Sequence, residues 1–237
     1  MAAQYIPPKP LLSPIKQSPL RIQTVISISS PRKTQLSVKL QSSVSAPWLE
    51  QIPPNALRRR RDPTWRGGFS LGVDLGLSRT GIALSKGFSV RPLTVLELRG
   101  QKLELKLLDI AEKEEVDEFI VGLPKSSDGK ETEQSNKVRS VAGRFAVRAA
   151  ERGWRVYLQD EHGTSAEALG HMIAKGICKS DRNGRIDAYA AMKVLERYFS
   201  DLGEGVELVV PKQVELQNKL RKGPPKDVDF FPEEEQG

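Results

Sequence analysis

The sequence predicts an α/β fold: a mixed five-stranded sheet, three antiparallel strands followed by parallel ones, with helices on both faces. Three observations carry this. Short apolar runs joined by tight, Gly-containing turns come first in the folded part, the pattern of an antiparallel meander. Helical and strand-like apolar periods then alternate, which calls for parallel strands with crossover helices. At 237 residues the chain has room for one medium domain with tails.

The elements follow in order. Apolar runs at 69–73, 81–84 and 94–98 predict the three antiparallel strands. Leu103, Leu107 and Ala111 fall one helical turn apart and predict the first helix of the domain. Phe119, Ile120 and Val121 form a continuous apolar run, which suits a strand buried on both faces. Val138, Val141, Ala142, Phe145, Ala146 and Ala149 lie on one face of a helix, and Gly153 ends it. Val156, Tyr157 and Leu158 predict the next strand. Thr164, with Glu167 three residues later, reads as a capping box opening a helix. A last helix is expected from about 185 to 199, with a short strand possible at 206–210. The domain organisation is therefore a leader and basic linker at 1–66, a folded domain at 67–202, and a mostly disordered extension at 203–237 that holds Gly223-Pro224-Pro225 and Glu233-Glu234-Glu235.

Composition narrows the function classes. No apolar run is long enough to span a bilayer, so no membrane partner is expected. Cys178 is the only cysteine, which excludes an internal disulfide or a zinc cage of thiolates. The net charge of +7 invites a nucleic-acid partner, but its placement tempers that inference. Residues 1–49 hold Lys9, Lys16, Arg21, Arg32, Lys33 and Lys39 and no acid; without those six, 31 basic residues face 30 acidic ones. A nucleic-acid site must then be a local patch. The acid-poor, Ser-rich leader has the look of an organelle transit peptide, with chloroplast expected and mitochondrion the alternative. The basic run Arg58 to Arg61 reads as linker, with phosphate contact as the other option.

Carboxylates stand at the edges of three buried elements. Asp74, in Gly72-Val73-Asp74-Leu75-Gly76, ends an apolar strand at a tight turn, where an Asp often only bonds its own backbone. Asp160 and Glu161 end a strand before a helix, where the helix dipole favours acids anyway. Asp187 is the most telling, because Asp187, Ala190, Ala191, Val194, Leu195 and Tyr198 share one helical face. A carboxylate on an apolar face, at the N-terminal end of that helix, is tolerable when it meets a cation. Strand ends of α/β sheets form the crevice where ligands bind, and Asp74, Glu161 and Asp187 can converge there. Oxygen donors without His or Cys select Mg²⁺ or Mn²⁺, and two such ions can stabilise the attacking and leaving oxygens of a phosphodiester displacement. Asp160 stays open as a ligand in place of Glu161, since strand neighbours face opposite ways and the register is not in the sequence. Arg79, Lys125 and Lys130 on loops are candidates to hold a nucleic-acid backbone, and His162 to touch a phosphate.

These segments resemble a known family. Gly72-Val73-Asp74-Leu75-Gly76 with Arg79, Gly81 and Ala83 resembles the opening motif of the YqgF (RuvX) group. Val121-Gly122-Leu123-Pro124 with Asp128-Gly129, then Asp160-Glu161 with Thr164-Ser165 and Ala168, then Ile186-Asp187 with Ala190-Ala191, resemble its three later motifs in the same order. The resemblance covers about 69 to 201. It implies an RNase H-like fold with Asp74, Glu161 and Asp187 at a metal site. It further implies a nuclease acting on structured nucleic acid, through maturation of the small-subunit (16S) rRNA precursor, its 5′ end above all, or resolution of branched DNA. An organellar, plant-type member would then act on a pre-ribosomal particle. The sequence departs from the group at His162 and Gly163, which replace an Arg and an apolar residue; His cannot clamp a phosphate bidentately, and Gly163 is expected to loosen the turn. A non-cutting RNA-binding factor is the rival that this departure favours. Actin-like ATPases share an Asp-Leu-Gly opening, but this chain has no second Asp-x-Gly strand.

Overall fold

The structure is a computed structural model, and it describes residues 52–64, 67–86 and 89–224. The leader and the acidic tail read from the sequence lie outside these residues. Six strands and six helices form in the order α1 (Asn55–Arg61), β1 (Phe69–Leu75), β2 (Thr80–Lys86), β3 (Ser89–Leu96), α2 (Gly100–Lys113), β4 (Val116–Leu123), α3 (Glu133–Ala150), β5 (Arg155–Asp160), α4 (Thr164–Ala174), α5 (Lys179–Ser200), β6 (Glu207–Leu208) and α6 (Val214–Lys222). The sheet order is β3-β2-β1-β4-β5-β6. β1 pairs antiparallel with β2 and parallel with β4, and β4 pairs parallel with β5. This is the antiparallel-then-parallel sheet that the sequence predicts. β6 extends it by pairing antiparallel with the far side of β5.

Alternation along the strands divides the core in two. Leu71, Val73 and Leu75 of β1, Phe119 and Val121 of β4, and Val156 and Leu158 of β5 join α2 and α3 in one cluster. Ala83, Ile120 and Tyr157 face the other way, into a cluster with α4 and α5. β4 and β5 therefore have apolar residues on both faces, which is why the sequence shows continuous apolar runs there, whereas β1 turns Ser70, Gly72 and Asp74 to the second face.

Three boundaries differ from the sequence reading. β3 begins at Ser89, not near 94, because Pro92 interrupts the apolar pattern; Pro is tolerated on an edge strand, and the register shifts beside it between Ile82 and Ala83. α5 begins at Lys179, so Asp187 lies inside the helix and not at its end; the added turns, 179–185, are polar and carry no apolar period. Thr164 is not a helix cap. The residue before α4 is Gly163, with φ +81°, and no side chain caps this end. Thr164 instead donates its hydroxyl to the Glu161 carbonyl at 2.9 Å, and Glu167 bonds Arg197. Gly163 thus takes the left-handed conformation that makes the turn tight, the reverse of loosening it. The capping box occurs at α3, where Thr132 and Ser135 exchange side-chain and backbone bonds.

Both flanks of the expected domain are also folded. In α1, Asn55 is fully buried and lies in a polar network at the amino ends of the parallel strands. Its N–H donates to Glu118 at 2.8 Å, and its amide donates to Asp117 at 2.8 Å and accepts from Arg155 at 3.2 Å. Glu118 also accepts from the Ser70 and Tyr198 hydroxyls at 2.8 and 2.7 Å. Arg155 pairs with Asp117. The basic run is part of this helix: Arg59 donates to the Gly68 carbonyl at 2.9 Å and lies over the Phe199 ring. Downstream, α6 buries Leu220 with Ile52 and Ala150. Amphipathic helices this short give little sequence signal, so α1 reads as linker and α6 as part of a mostly disordered extension.

Asn55→Ala removes an amide that serves two buried partners and is expected to destabilise the fold by about 2 kcal/mol. The shift of the urea midpoint reads this, with Arg61→Ala on the exposed side of the same helix within about 0.5 kcal/mol of the parent.

Candidate functional site

The carboxyl ends of β1, β4 and β5 lie along one edge of the sheet, since the three strands are parallel. Glycine decides what gathers there. Asp74 pairs across the β1–β2 ladder with Gly81. A Cβ on Gly81 would overlap the Asp187 carbonyl oxygen, so α5 runs directly against bare backbone. One step down, a Cβ on Gly72 would stand 2.6 Å from Leu195 Cγ and 2.7 Å from the Ala191 carbonyl oxygen. This contact holds Asp187 beside Asp74. Gly122 does the same for the third acid, because a Cβ there would fill the space of the Glu161 carboxylate.

The register resolves the choice between Asp160 and Glu161. The Glu161 N–H continues the β4–β5 ladder to the Leu123 carbonyl at 3.2 Å, and Glu161 falls on the same face as Tyr157, toward α5. Asp160 faces away, 3.3 Å from Lys125 Nζ and accepting from the His162 N–H at 2.9 Å.

Asp74, Glu161 and Asp187 act on one another electrostatically. Burial, then the charge of Asp187, raises the Asp74 carboxyl to about 6. Burial, then Asp74 and Asp160, raises Glu161 to about 8 against the opposing pull of Arg197. Glu161 Oε2 is buried with no hydrogen-bond partner, and Asp187 Oδ2 likewise has none. Arg79 Nε does approach Asp187 Oδ2 to 2.8 Å as an ion pair, while the same guanidinium donates to the Asn183 carbonyl at 3.1 Å. Charge is thus balanced at Asp187 without an aligned bond. Among the described residues, no three His, Cys, Asp or Glu side chains are gathered into a ready metal cage.

The other candidates divide. His162 Nδ1 lies 3.2 Å from the Lys125 carbonyl, tying the β5–α4 turn to the β4–α3 loop beside the carboxylates. Lys125 is held by Asp160. Lys130 is 2.6 Å from Asp128 on an exposed hairpin, where Asp128 also accepts from Ser126. The Asp128-Gly129 motif is accordingly a turn, with Gly129 at φ +78°. Sequence reasoning missed the packing roles of Gly81 and Gly122; the available signal was a glycine inside an apolar strand, which marks close backbone approach. It also missed Gln159, whose Oε1 is buried and partnerless two residues before Glu161 on the same strand face, and Arg197, which donates to the Asp160 carbonyl at 3.1 Å.

The sequence model of the family described as "RuvX: Holliday junction resolvase" matches residues 68–201, a span that contains all three carboxylates. The chain belongs to the RuvX family. Relatives named "Putative pre-16S rRNA nuclease" include one from Anaeromyxobacter dehalogenans, 35% identical over 55% of this chain and 95% of the relative. Another, from Thiobacillus denitrificans, is 36% identical over 56% of this chain and 91% of the relative. α1 and α6 lie outside the matched span. Among solved structures, Thermus thermophilus RuvC in complex with a Holliday junction substrate aligns at 18% identity and a TM-score of 0.41, covering 60% of this chain and 99% of that one. That likeness is too loose to carry an argument.

Two outcomes follow for the RuvX site. Gly81→Ala is expected to destabilise by about 2–3 kcal/mol, measured by urea unfolding, because the added methyl meets backbone that cannot turn aside. For Glu161 the folded value of about 8 lies above the ordinary 4.5, so the folded chain holds this proton more tightly than the unfolded one. The stability it contributes is full below 4.5 and lost as pH rises through about 8. With chelator present, Glu161→Gln is expected to flatten that fall and to be the more stable protein above this range, read as unfolding free energy against pH.

Proposed function

We propose that this RuvX member is a divalent-metal-dependent endonuclease of structured RNA that trims the 5′ end of a small-subunit rRNA precursor. The observation that carries the reading is the convergence of Asp74, Glu161 and Asp187 at one end of the sheet, with buried oxygens lacking hydrogen bonds and the Asp74 and Glu161 carboxyls pushed upward by burial first and neighbouring acids second. The relatives named for pre-16S rRNA support the substrate. The family description supports branched DNA as the second substrate class.

The residues fit a hard cation. The donor set is oxygen alone, and two of its buried oxygens lack a hydrogen bond. Asp74, Glu161 and Asp187 would hold Mg²⁺ or Mn²⁺. Such an ion supplies Lewis acidity and positive charge to an in-line phosphodiester displacement. The chain's own groups do the rest. Glu161, which burial keeps protonated near neutral pH, would have to release that proton to solvent to serve as a ligand. Arg79 neutralises Asp187 at the mouth and offers its outer nitrogens to a backbone phosphate. Lys125 and His162 form the opposite wall, where the Lys125–Asp160 pair fixes the loop that borders the strand being cut.

The acid-free segment 1–49 supports delivery to the chloroplast, with the mitochondrion second, and a pre-ribosomal particle as the setting.

The test is cleavage of an organellar small-subunit rRNA precursor with Mg²⁺ or Mn²⁺ by the parent and by Asp74→Asn. Cleavage that chelator abolishes and that falls at least about 10³-fold in the variant is expected. Unchanged cleavage by the variant sinks the assignment of the site. Tight binding with no cleavage by the parent would make the protein an RNA-binding assembly factor.

A further inference from the structure

On the other face of the sheet, beside the carboxylates, is a cavity of about 210 Å³. Its walls are Leu75, Leu77, Leu98, Leu103, Val138 and Val141, from the β1–β2 turn, the β3–α2 connection and α3. The α2–α3 core does not need it filled to be closed: Leu103 and Val138 are already buried, while Leu77 at its lip is 73% exposed.

Three features identify the occupant. The volume lies below the roughly 300 Å³ at which drug-sized sites begin, so the cavity takes one small group. The rim is cationic and polar. Arg99 is exposed and has no acidic partner among the described residues, Lys137 also lines the rim but is paired with Glu133 at 2.8 Å, and Gln134 spends its amide on the Leu75 carbonyl at 3.3 Å, leaving its own oxygen to accept from a ligand. The position is continuous with the carboxylate cluster. Leu75 follows Asp74, and the turn between β1 and β2 puts Leu77 and Ser78 at the cavity and Arg79 at Asp187. An apolar slot with a hydrogen-bonding edge and cations outside matches a nucleobase on its phosphate backbone.

The geometry points to a subsite for one unpaired nucleobase, next to the cleaved phosphate, reached by a strand that crosses the β1–β2 turn. This rests on the nuclease reading above. It makes the enzyme selective for a single-stranded or splayed nucleotide at that position.

The probe is a short fluorescein-labelled single-stranded RNA, intact or with one abasic site walked along it, and binding is read by anisotropy in Ca²⁺. The proteins are the parent, Val141→Phe, which fills the cavity from a partly buried position, and Leu77→Ala, which removes the exposed lip without touching the core. The intact RNA is expected to bind about 5–10-fold more weakly to both variants. At one abasic position the parent should lose the same factor, and the variants should lose nothing more. Equal binding of intact RNA by the parent and Leu77→Ala, or abasic losses that add fully to those of the variants, would overturn the subsite and leave the nuclease reading standing. Failure of the parent to bind any RNA, with a matching single-stranded DNA also unbound, would overturn both.

Discussion

The site depends on one contact: helix α5 lying directly on the backbone of β1 and β2. Ordinary helix-on-sheet packing keeps the two layers apart by the depth of their side chains. Here Gly72, Gly81 and Ala83 leave a bare strip, and the Ala191 and Asp187 carbonyls come down onto it. Because Gly81 is the cross-strand partner of Asp74, the same contact that seats the helix sets the separation of the two carboxylates. Gly122 applies the rule a second time, giving Glu161 the space to fold back over the sheet. The placement of the carboxylates and core packing are therefore one constraint, and a methyl group at either place disturbs both.

The α5 face of the sheet carries two polar clusters at opposite ends, and the contrast between them separates structure from function. At the amino ends of the strands, Glu118 is fully buried, yet it accepts from Asn55, Ser70 and Tyr198, and Arg155 is matched by Asp117 and Asn55. Such a network is costly to break, and of its side-chain atoms only Arg155 Nε is buried without a hydrogen-bond partner. At the carboxyl ends, Glu161 Oε2 and Gln159 Oε1 lack hydrogen-bond partners and Asp187 Oδ2 has only its ion pair with Arg79, while burial raises the carboxyls of Asp74 and Glu161 as it does that of Glu118. A protein tolerates buried oxygens without hydrogen-bond partners where it has something positive to bind. The satisfied end also explains why α1 belongs to the domain although it precedes the span shared with the family: it supplies Asn55 to a carboxylate and a guanidinium that would otherwise be stranded.

Much of this was legible before any coordinates. The three antiparallel strands, the crossover helices and the three carboxylates were written in apolar periodicity and in the motifs around Asp74, Gly122, Glu161 and Asp187. What was misread has a common cause. Thr164 and Glu167 have the spacing of a capping box, but Glu167 gains more from Arg197 on α5, a partner that sequence spacing cannot show. Gly163 was read as slack, whereas its positive φ is what turns the chain from β5 into α4. β3 was shortened by Pro92, which an edge strand accommodates.

The sequence by itself determined the fold class, the identity of the acids and their placement at the ends of buried elements, because those follow from local periodicity and from the cost of putting charge on an apolar face. Only the tertiary structure decided that Glu161 and not Asp160 turns inward, that Arg79 neutralises Asp187, that Asn55 closes the base, and that a cavity opens behind the β1–β2 turn. Each of these depends on strand register or on how closely two backbones approach. Those quantities are set by residues far apart in the chain, and a one-residue slip reverses them.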